Sequence, residues 1–384
     1  MPVETHPSIV AMIPMRGPVL GLVVVLIAAG CGVSPALETE PDPTLRVGAI
    51  ISQTGVYATL GDDMEAAMHL YLEAHGGRLG GRPAELIVAD DAGNPEKGQQ
   101  QARSLIARER VNVITGLISS PVAVSVVKEA AGTPVVIANA GADELGGPGV
   151  FRVSFTNHEH GYAAGRYAAE RYGKAGVVLM ASDYSGGTET LDGFTQGYGV
   201  KPLKRILTPY GKSEDLEPYL RRIPPDAKLL YAFYAGGEAV TFAKAFKQLG
   251  YDTKIDLLTC QNLTDEDVLE AIGTDAEGIT SVGLYSPALT TPENAAFVAR
   301  WKAKTGRNPS AVALQSWDAM QLIDRAAGLG GDLSAALGRV GDLASPRGTF
   351  RLDPTTHNPV QNWYARKYEN GVNRVIATIP PERK

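Results

Sequence analysis

Short apolar runs recur along the chain from Leu45 onward, separated by segments of mixed polarity. The runs are nearly continuous in Val, Ile and Leu, as in strands that are buried on both faces of a parallel sheet. They cover Arg46–Ile51, Ala84–Ala89, Val111–Thr115, Pro134–Ala138, Gly176–Met180, Leu229–Tyr234, Lys254–Leu258 and Gly278–Leu284. The pattern therefore predicts eight buried strands.

Segments of helical period lie between these runs. Met64–His75 places four apolar side chains on one stripe, and Pro95–Arg108 opens with Asn94 as N-cap and Pro95 in the first turn. Strands that alternate with helices indicate an α/β fold with right-handed crossovers. In such sheets, ligands bind beyond the carboxyl ends of the strands, so the loops that follow the strands are the candidate sites.

The N-terminus has a different composition. Val19–Ala29 is an apolar stretch too short to span a bilayer, and it leads through Gly30 into Cys31, which resembles a bacterial lipobox. We expect residues 1–30 to be a lipoprotein signal peptide and Cys31 to be the lipidation site. The alternatives are a removed signal with an unmodified cysteine, or a short buried helix. Residues 31–44, rich in proline and acids, are predicted to be a tether.

Length and charge narrow the class of protein. The chain has 384 residues, and the part after the tether exceeds what one core normally serves, which predicts two lobes. The net charge is −6 and no basic patch is visible, which argues against nucleic-acid binding. The only cysteine besides Cys31 is Cys260, which we interpret as a small buried residue and not as a nucleophile.

Six loops after predicted strands carry candidate ligand-binding residues. Hydroxyls, amides, small residues and a tyrosine lie there, next to helix starts whose free amides attract a carboxylate. Turn and capping roles explain each loop equally well when it is taken alone. The candidates are Thr54, Tyr57, Ser119, Ser120, Asn139, Ala140, Gly141, Tyr184, Gly236 and Gln261. Of these, we expect Ser120 to act as the N-cap of a helix and to donate its proton to a ligand oxygen.

Several chemistries have no support in the sequence. His158 and His160 lack a third ligand at metal spacing and are expected on a solvated helix start. No nucleophile elbow and no cysteine–histidine pairing are found. We therefore expect no metal, no cofactor and no enzyme activity.

Ordered segments of the chain resemble the substrate-binding proteins of ABC importers, branched-chain amino acid type. The segments are Val47–Gly55, Gly77–Pro83, Asp90–Pro95, Gly116–Ser120, Phe151–Arg152, Gly187–Phe194, Glu277–Gly278 and Tyr285–Ser286. The resemblance implies a type I periplasmic-binding-protein fold, with two Rossmann-like lobes of parallel strands joined by a three-stranded hinge. It places the N-terminal lobe at 45–155 plus 286–347 and the C-terminal lobe at 156–285 plus 348–380.

The resemblance also implies a function. The protein is expected to close on a small solute and to deliver it to the permease and ATPase subunits of an importer, from a lipid anchor outside the cytoplasmic membrane or from the periplasm. The alternative is a ligand-sensing receptor of the same fold. Ser120 matches the serine that holds the ligand carboxylate, and Tyr184 matches the tyrosine of the second lobe.

Two positions depart from the amino-acid binders. Gly141 stands where they have a threonine, and Gln261 stands where a glutamate pairs with the ligand ammonium. A neutral amide is a poorer partner for a desolvated ammonium than a carboxylate is. The ligand is thus expected to be a branched-chain amino acid or a related apolar or aromatic carboxylate, with the aromatic acid preferred.

Overall fold

The computed structural model describes residues 44–130, 132–212 and 214–382. The predicted signal peptide, Cys31 and all but the last residue of the tether lie outside the described residues. The described chain contains two main sheets and one short β-ribbon. We call the six-stranded sheet with its helices the first lobe, and the seven-stranded sheet with its helices the second lobe.

The first lobe has the strand order β2-β3-β1-β4-β5-β6. All neighbours are parallel except β2 and β3, which form a tight antiparallel turn. Its strands are β1 (Leu45–Ile51), β2 (Arg78–Leu79), β3 (Arg82–Asp90), β4 (Val113–Gly116), β5 (Val135–Ile137) and β6 (Val150–Arg152).

The second lobe contains β7 (Val177–Ser182), β8 (Lys204–Thr208), β9 (Leu229–Phe233), β10 (Asp256–Cys260) and β11 (Thr280–Gly283). After a two-stranded ribbon of β12 (Arg351–Leu352) and β13 (Pro359–Val360), the chain adds β14 (Trp363–Glu369) and β15 (Val372–Ile379) to the same sheet. The order is β15-β14-β11-β10-β9-β7-β8, with β14 and β15 antiparallel.

Helices lie between the strands. They are α1 (Ala58–Ala74), α2 (Pro95–Ser104), α3 (Ser120–Glu129), α4 (Asn157–Tyr172), α5 (Ser185–Tyr198), α6 (Glu217–Leu220), α7 (Gly236–Gln248), α8 (Leu269–Ile272), α9 (Pro292–Thr305), α10 (Ala311–Leu329) and α11 (Leu333–Leu337). The N-cap predicted for α2 is confirmed, since the Asn94 side chain accepts a hydrogen bond from the Lys97 amide. No helix among the described residues is long and apolar enough to cross a membrane.

Glycines bring α4 and α5 into close contact in the second lobe. A Cβ atom on Gly161 would lie 1.9 Å from the Thr190 carbonyl oxygen, and one on Gly193 would lie 2.1 Å from the His158 carbonyl oxygen. Gly165 and Gly197 repeat the arrangement one turn further along the two helices. The packing fixes the start of α4, and with it Asn157, relative to α5.

One buried arginine ties the connections between the lobes together. The Arg347 guanidinium donates to the Val153 carbonyl at 2.6 Å and to Gln361 Oε1 at 2.7 Å. It also forms an ion pair with Asp318 of α10, at 3.1 Å, and both side chains are at most 1% exposed. Val153 follows the last strand of the first lobe, and Gln361 precedes the strands that return to the second lobe. Arg347 therefore joins two of the segments that connect the lobes.

The β12–β13 ribbon lies against the edge of the first lobe. The backbone amide of Arg152 in β6 donates to the His357 carbonyl at 3.1 Å, and the Phe151 and His357 rings stack with centroids 4.4 Å apart. The family resemblance implied that 348–380 belongs as a whole to the second lobe. The lobe boundaries remain a prediction. These contacts favour a boundary at which the chain returns to the second lobe after β13.

His160 differs from the sequence expectation of a solvated helix start. It is fully buried, its Nε2 lies 2.8 Å from the Val282 carbonyl oxygen, and its ring stacks on Trp363 at 5.1 Å. Burial lowers the pKa of its imidazole to about 4. His160 therefore packs as a neutral ring between α4 and the sheet of the second lobe. It is buried because α4 turns inward directly after the chain crosses from the first lobe to the second.

Candidate functional site

A small cavity lies where the carboxyl ends of strands from both lobes meet. It encloses about 30 Å³, roughly the space of one water molecule, so side chains of its wall have to shift before a larger ligand fits. The lining residues are Tyr57, Leu60, Ile118, Ser119, Ser120, Asn139, Gly141, Phe155, Asn157, Tyr184, Phe233, Ala235 and Asn262. None of these described residues carries a charged side chain.

Helix N-termini converge on this cavity. The N-cap residues of α1, α3, α5 and α7 are Tyr57, Ser119, Tyr184 and Ala235, and all four line it. None of the four makes a side-chain capping bond, whereas Thr156 caps α4 through the Glu159 amide. Uncapped amides and the positive ends of the helix dipoles therefore face a cavity whose lining carries no charge. The Glu238 carboxylate in the first turn of α7 lies outside this lining, close enough to add to burial in raising the pKa of the Tyr57 and Tyr184 hydroxyls.

The two serines before and at the start of α3 have different roles from those expected. The helix begins at Ser120, so Ser119 and not Ser120 is the N-cap residue. Ser120 Oγ accepts a hydrogen bond from the Ala142 amide at 3.1 Å. Ser119 is 4% exposed, and its Oγ has no well-formed hydrogen bond to a described residue, although the Tyr210 hydroxyl lies near it. A buried hydroxyl without a well-formed bond in a cavity wall is a donor that a ligand can use.

Tyrosines from both lobes close the cavity. Tyr57 follows β1 of the first lobe, and its hydroxyl lies 3.1 Å from that of Tyr210, which follows β8 of the second lobe. The Tyr184 ring stacks on Tyr210 with centroids 4.5 Å apart. Burial raises the pKa of the Tyr57 and Tyr184 hydroxyls well above their usual range. Both hydroxyls are thus neutral at physiological pH.

The third predicted loop forms the floor of the cavity. Asn139 lines it and donates from Nδ2 to Gln315 Oε1 at 2.8 Å. Gly141 also lines it, and a Cβ there would lie 2.2 Å from Asn157 Oδ1, so a threonine fits only if the Asn157 side chain moves. Ala140 is not among the lining residues, since it is buried with its carbonyl accepting from Ser154 Oγ.

Thr54 and Gly236 are placed beside the cavity and not in its wall. The Thr54 hydroxyl donates to Asp90 Oδ2 at 2.8 Å, which stiffens the loop after β1. Gly236 has a φ of +55°, and a Cβ there would lie 2.8 Å from the Val56 carbonyl oxygen. Gly236 therefore lets the start of α7 approach the first lobe closely.

Gln261 does not line the cavity, but its neighbour Asn262 does. Its side chain is fully buried, and Oε1 accepts a hydrogen bond from the Leu284 amide at 2.8 Å. Asn262 lines the cavity instead, with an Oδ1 atom that has no hydrogen-bond partner among the described residues. The polar side chain that this loop places in the cavity wall is therefore the neutral amide of Asn262, and not that of Gln261.

Comparison with known proteins places this geometry in a family. The model of the periplasmic binding protein family matches residues 44–372. The chain belongs to this family. A Leu/Ile/Val-binding protein homolog of Brucella melitensis is 28% identical over 342 residues, which are 84% of this chain and 87% of that protein.

Solved structures of ABC transporter solute-binding proteins share the fold. One from R. palustris in complex with benzoate is 33% identical, with a TM-score of 0.82 over 88% of this chain and 97% of that one. One from Rhodopseudomonas palustris BisB5 in complex with 3,4-dihydroxybenzoic acid is 30% identical, with a TM-score of 0.82 over 88% and 98%. The predicted type I periplasmic-binding-protein fold of two α/β lobes is confirmed.

Several cavity residues were not predicted from the sequence. Phe155, Asn157 and Phe233 lie within a few residues of a strand end, so the rule that pointed to the six loops reaches them as well. Ala235 and Asn262 belong to two of the six predicted loops, but neither was chosen as a candidate residue. Leu60 and Ile118 are apolar and carry no chemical signal. Tyr210 follows β8, an edge strand that the apolar pattern did not predict.

Reactive groups near the cavity do not change this picture. Cys260 is fully buried, and burial raises the pKa of its thiol to about 12, so it is a poor nucleophile. Among the described residues, no group of three His, Cys, Asp or Glu side chains is placed to hold a metal ion.

Proposed function

We propose that the protein captures a small carboxylate with an aromatic or apolar body between its two lobes and presents it to an ABC importer. The observation that carries the proposal is the convergence of four uncapped helix N-termini on a cavity without charged side chains. The site offers positive dipole ends and hydrogen-bond donors to one end of a ligand, and rings to the rest.

The first lobe supplies the carboxylate end of the proposed site. The start of α3 carries free amides, and the Ser119 hydroxyl, which makes no well-formed hydrogen bond, lies beside them. A carboxylate that accepts from backbone amides and a hydroxyl at a helix N-terminus needs no arginine or lysine. Ser120 contributes through its backbone, because its side chain holds the Ala142 amide.

The opposite end of the site suits a neutral group better than an α-ammonium. An amino acid needs an anionic or strongly accepting partner for its ammonium, and Asn262 is the only polar side chain that the loop after β10 contributes to the lining. Losing a charged hydrogen-bond partner costs about 1.5–3 kcal/mol. The rings of Tyr57, Tyr184, Phe155 and Phe233 offer flat surfaces for an aromatic body. Two related solute-binding proteins hold benzoates, which supports this preference.

Benzoate is expected to bind at least about tenfold more tightly than leucine. The ammonium of leucine lacks a charged partner in the site, and this lowers its affinity by about one to two decades. Calorimetry of the purified chain with benzoate, 4-hydroxybenzoate, leucine and valine measures this. A thermal-shift screen serves as a check, since a ligand at 100 times its Kd adds about 2.7 kcal/mol of stability. Leucine binding more tightly than benzoate would contradict the proposal.

Attachment to the membrane is a separate part of the proposal. We expect cleavage after Gly30 and acylation of Cys31, given the apolar stretch before it and the proline-rich segment after it. Cys31→Ser is expected to move the protein from the membrane fraction to the soluble fraction, and mass spectrometry of the wild-type N-terminus should show a lipid-modified cysteine. A Cys31→Ser protein that stays in the membrane fraction would exclude this anchor.

A further inference from the structure

Tyr210 joins the two lobes although it is not part of the cavity wall. It lies in the loop after β8 of the second lobe, yet its ring packs against the apolar core of the first lobe. Its hydroxyl lies 3.1 Å from that of Tyr57, which is a first-lobe residue. Tyr210 therefore makes both an apolar and a polar contact across the opening between the lobes.

The same ring supports the tyrosine wall from behind. Tyr184 lines the cavity and stacks on Tyr210 at 4.5 Å, with an angle of 29° between the planes. Tyr57, the hydrogen-bond partner of Tyr210, also lines the cavity. One residue outside the wall thus contacts two residues in it, one from each lobe.

The loop that carries Tyr210 is itself held in place. Glu238, in the first turn of α7, accepts a hydrogen bond from the Gly211 amide at 3.1 Å and one from Ser182 Oγ at 2.9 Å. Gly211 directly follows Tyr210, and Ser182 ends the strand that leads to Tyr184. A single carboxylate oxygen therefore fixes the two tyrosine-bearing loops of the second lobe relative to each other.

We infer that Tyr210 is a positioning residue that holds the closed state by linking Tyr57 of the first lobe to Tyr184 of the second. We call Tyr57 and Tyr210 the tyrosine latch. The bond between them forms only when the lobes meet, so it stabilises the closed state and leaves the open state unchanged. Its loss should speed ligand release and leave ligand capture by the open protein unaffected.

Tyr210→Phe keeps the ring and removes the hydroxyl, so benzoate dissociation is expected to be about two- to tenfold faster at an unchanged association rate. Tyr57→Phe removes the same bond, and the double variant should release benzoate no faster than the quicker single variant. Tyr198→Phe is the matched control, because that hydroxyl donates to the Ala175 carbonyl within the second lobe. Additive effects of the two latch variants, or an unchanged dissociation rate, would overturn the inference.

This test rests on the proposed function, so a second measurement avoids the ligand. In the Cys31→Ser chain, Val56→Cys and Gly237→Cys place thiols on opposite sides of the close approach between Gly236 and Val56. A short bis-maleimide should join them at a rate that follows the closed population, and Tyr210→Phe should lower that rate about two- to tenfold. If benzoate fails to bind but Tyr210→Phe slows cross-linking, the proposed ligand is wrong and the latch stands. Equal cross-linking rates would refute the latch itself.

Discussion

Arg347→Met is expected to lower the free energy of unfolding by about 3–5 kcal/mol, the usual cost of breaking a buried ion pair by removing one partner. The substitution leaves Asp318 buried without its cation and leaves the Val153 carbonyl and Gln361 Oε1 without their donor. It also removes the guanidinium that lies 3.9 Å from the centroid of the Phe350 ring. Urea denaturation followed by circular dichroism measures the loss.

The matched control is Arg221→Met. Arg221 pairs with Glu217 one helical turn away, but its side chain is 63% exposed and that of Glu217 is 49% exposed. Exposed pairs contribute about 0–1 kcal/mol, so this variant should unfold almost like the wild type. A loss below about 1 kcal/mol for Arg347→Met would show that the passages between the lobes do not depend on this arginine.

The deficit of Arg347→Met should also depend on pH. Burial raises the pKa of Asp318 to about 6 in the native protein, even though the Arg347 charge lowers it. Without Arg347 the folded-state pKa rises further above the unfolded value, so the stability of the variant is fully present at low pH and falls as pH rises through the folded pKa. The difference from the wild type is therefore expected to be larger at pH 8 than at pH 5.

The fold could be predicted from the sequence where strands are buried on both faces. All eight apolar runs contain or overlap an observed strand, because buried strands leave few polar positions to interrupt the pattern. The expected burial is missing at Arg82–Asp90, which is half-buried along most of its length. Lys204–Thr208 was missed because it lies at the sheet edge and begins with two half-buried basic residues. Val372–Ile379 was missed for the same reason, since its exposed positions break the apolar run.

The sequence predicted which loops form the candidate site, but it did not always predict which residue of a loop lines it. Strand ends pointed to the correct loops, but the position within each loop depends on where the helix begins. At Ser119–Ser120 and at Gln261–Asn262 the structure differs from the expectation by one residue. Gln261 turns inward to cap the Leu284 amide, a contact between residues 23 apart that no local pattern indicates.

The contacts between the lobes are of different kinds, and two of them bear on opening and closing. Arg347 joins two of the connecting segments on the buried side of the molecule. Tyr210 and Gly236 contact the first lobe at the mouth, where each contact needs the lobes to be together. A firm hinge with a few weak closing contacts lets a small ligand decide whether the cleft is open or closed, because the energies at the mouth are comparable to those a ligand supplies.

Ser119→Asp is expected to abolish benzoate binding and to leave the fold intact. Aspartate is as good an N-cap residue as serine, and Ser119 makes no capping bond at present, so the stability of the unliganded protein should stay the same or rise. The new carboxylate would occupy the start of α3, where the ligand carboxylate is proposed to bind. Like charges this close cost several kcal/mol, which corresponds to a Kd at least about 100-fold higher.

Ser119→Asn separates charge from size in this test. Asparagine has nearly the same shape as aspartate and caps helices equally well, but it carries no charge. Calorimetry with benzoate should therefore show a smaller loss for Ser119→Asn than for Ser119→Asp, while both proteins unfold at similar temperatures without ligand. Equal losses for the two variants would mean that the substitution acts by filling space. An unchanged Kd for Ser119→Asp would mean that the carboxylate binds away from α3, and the polarity proposed for the ligand would have to be reversed.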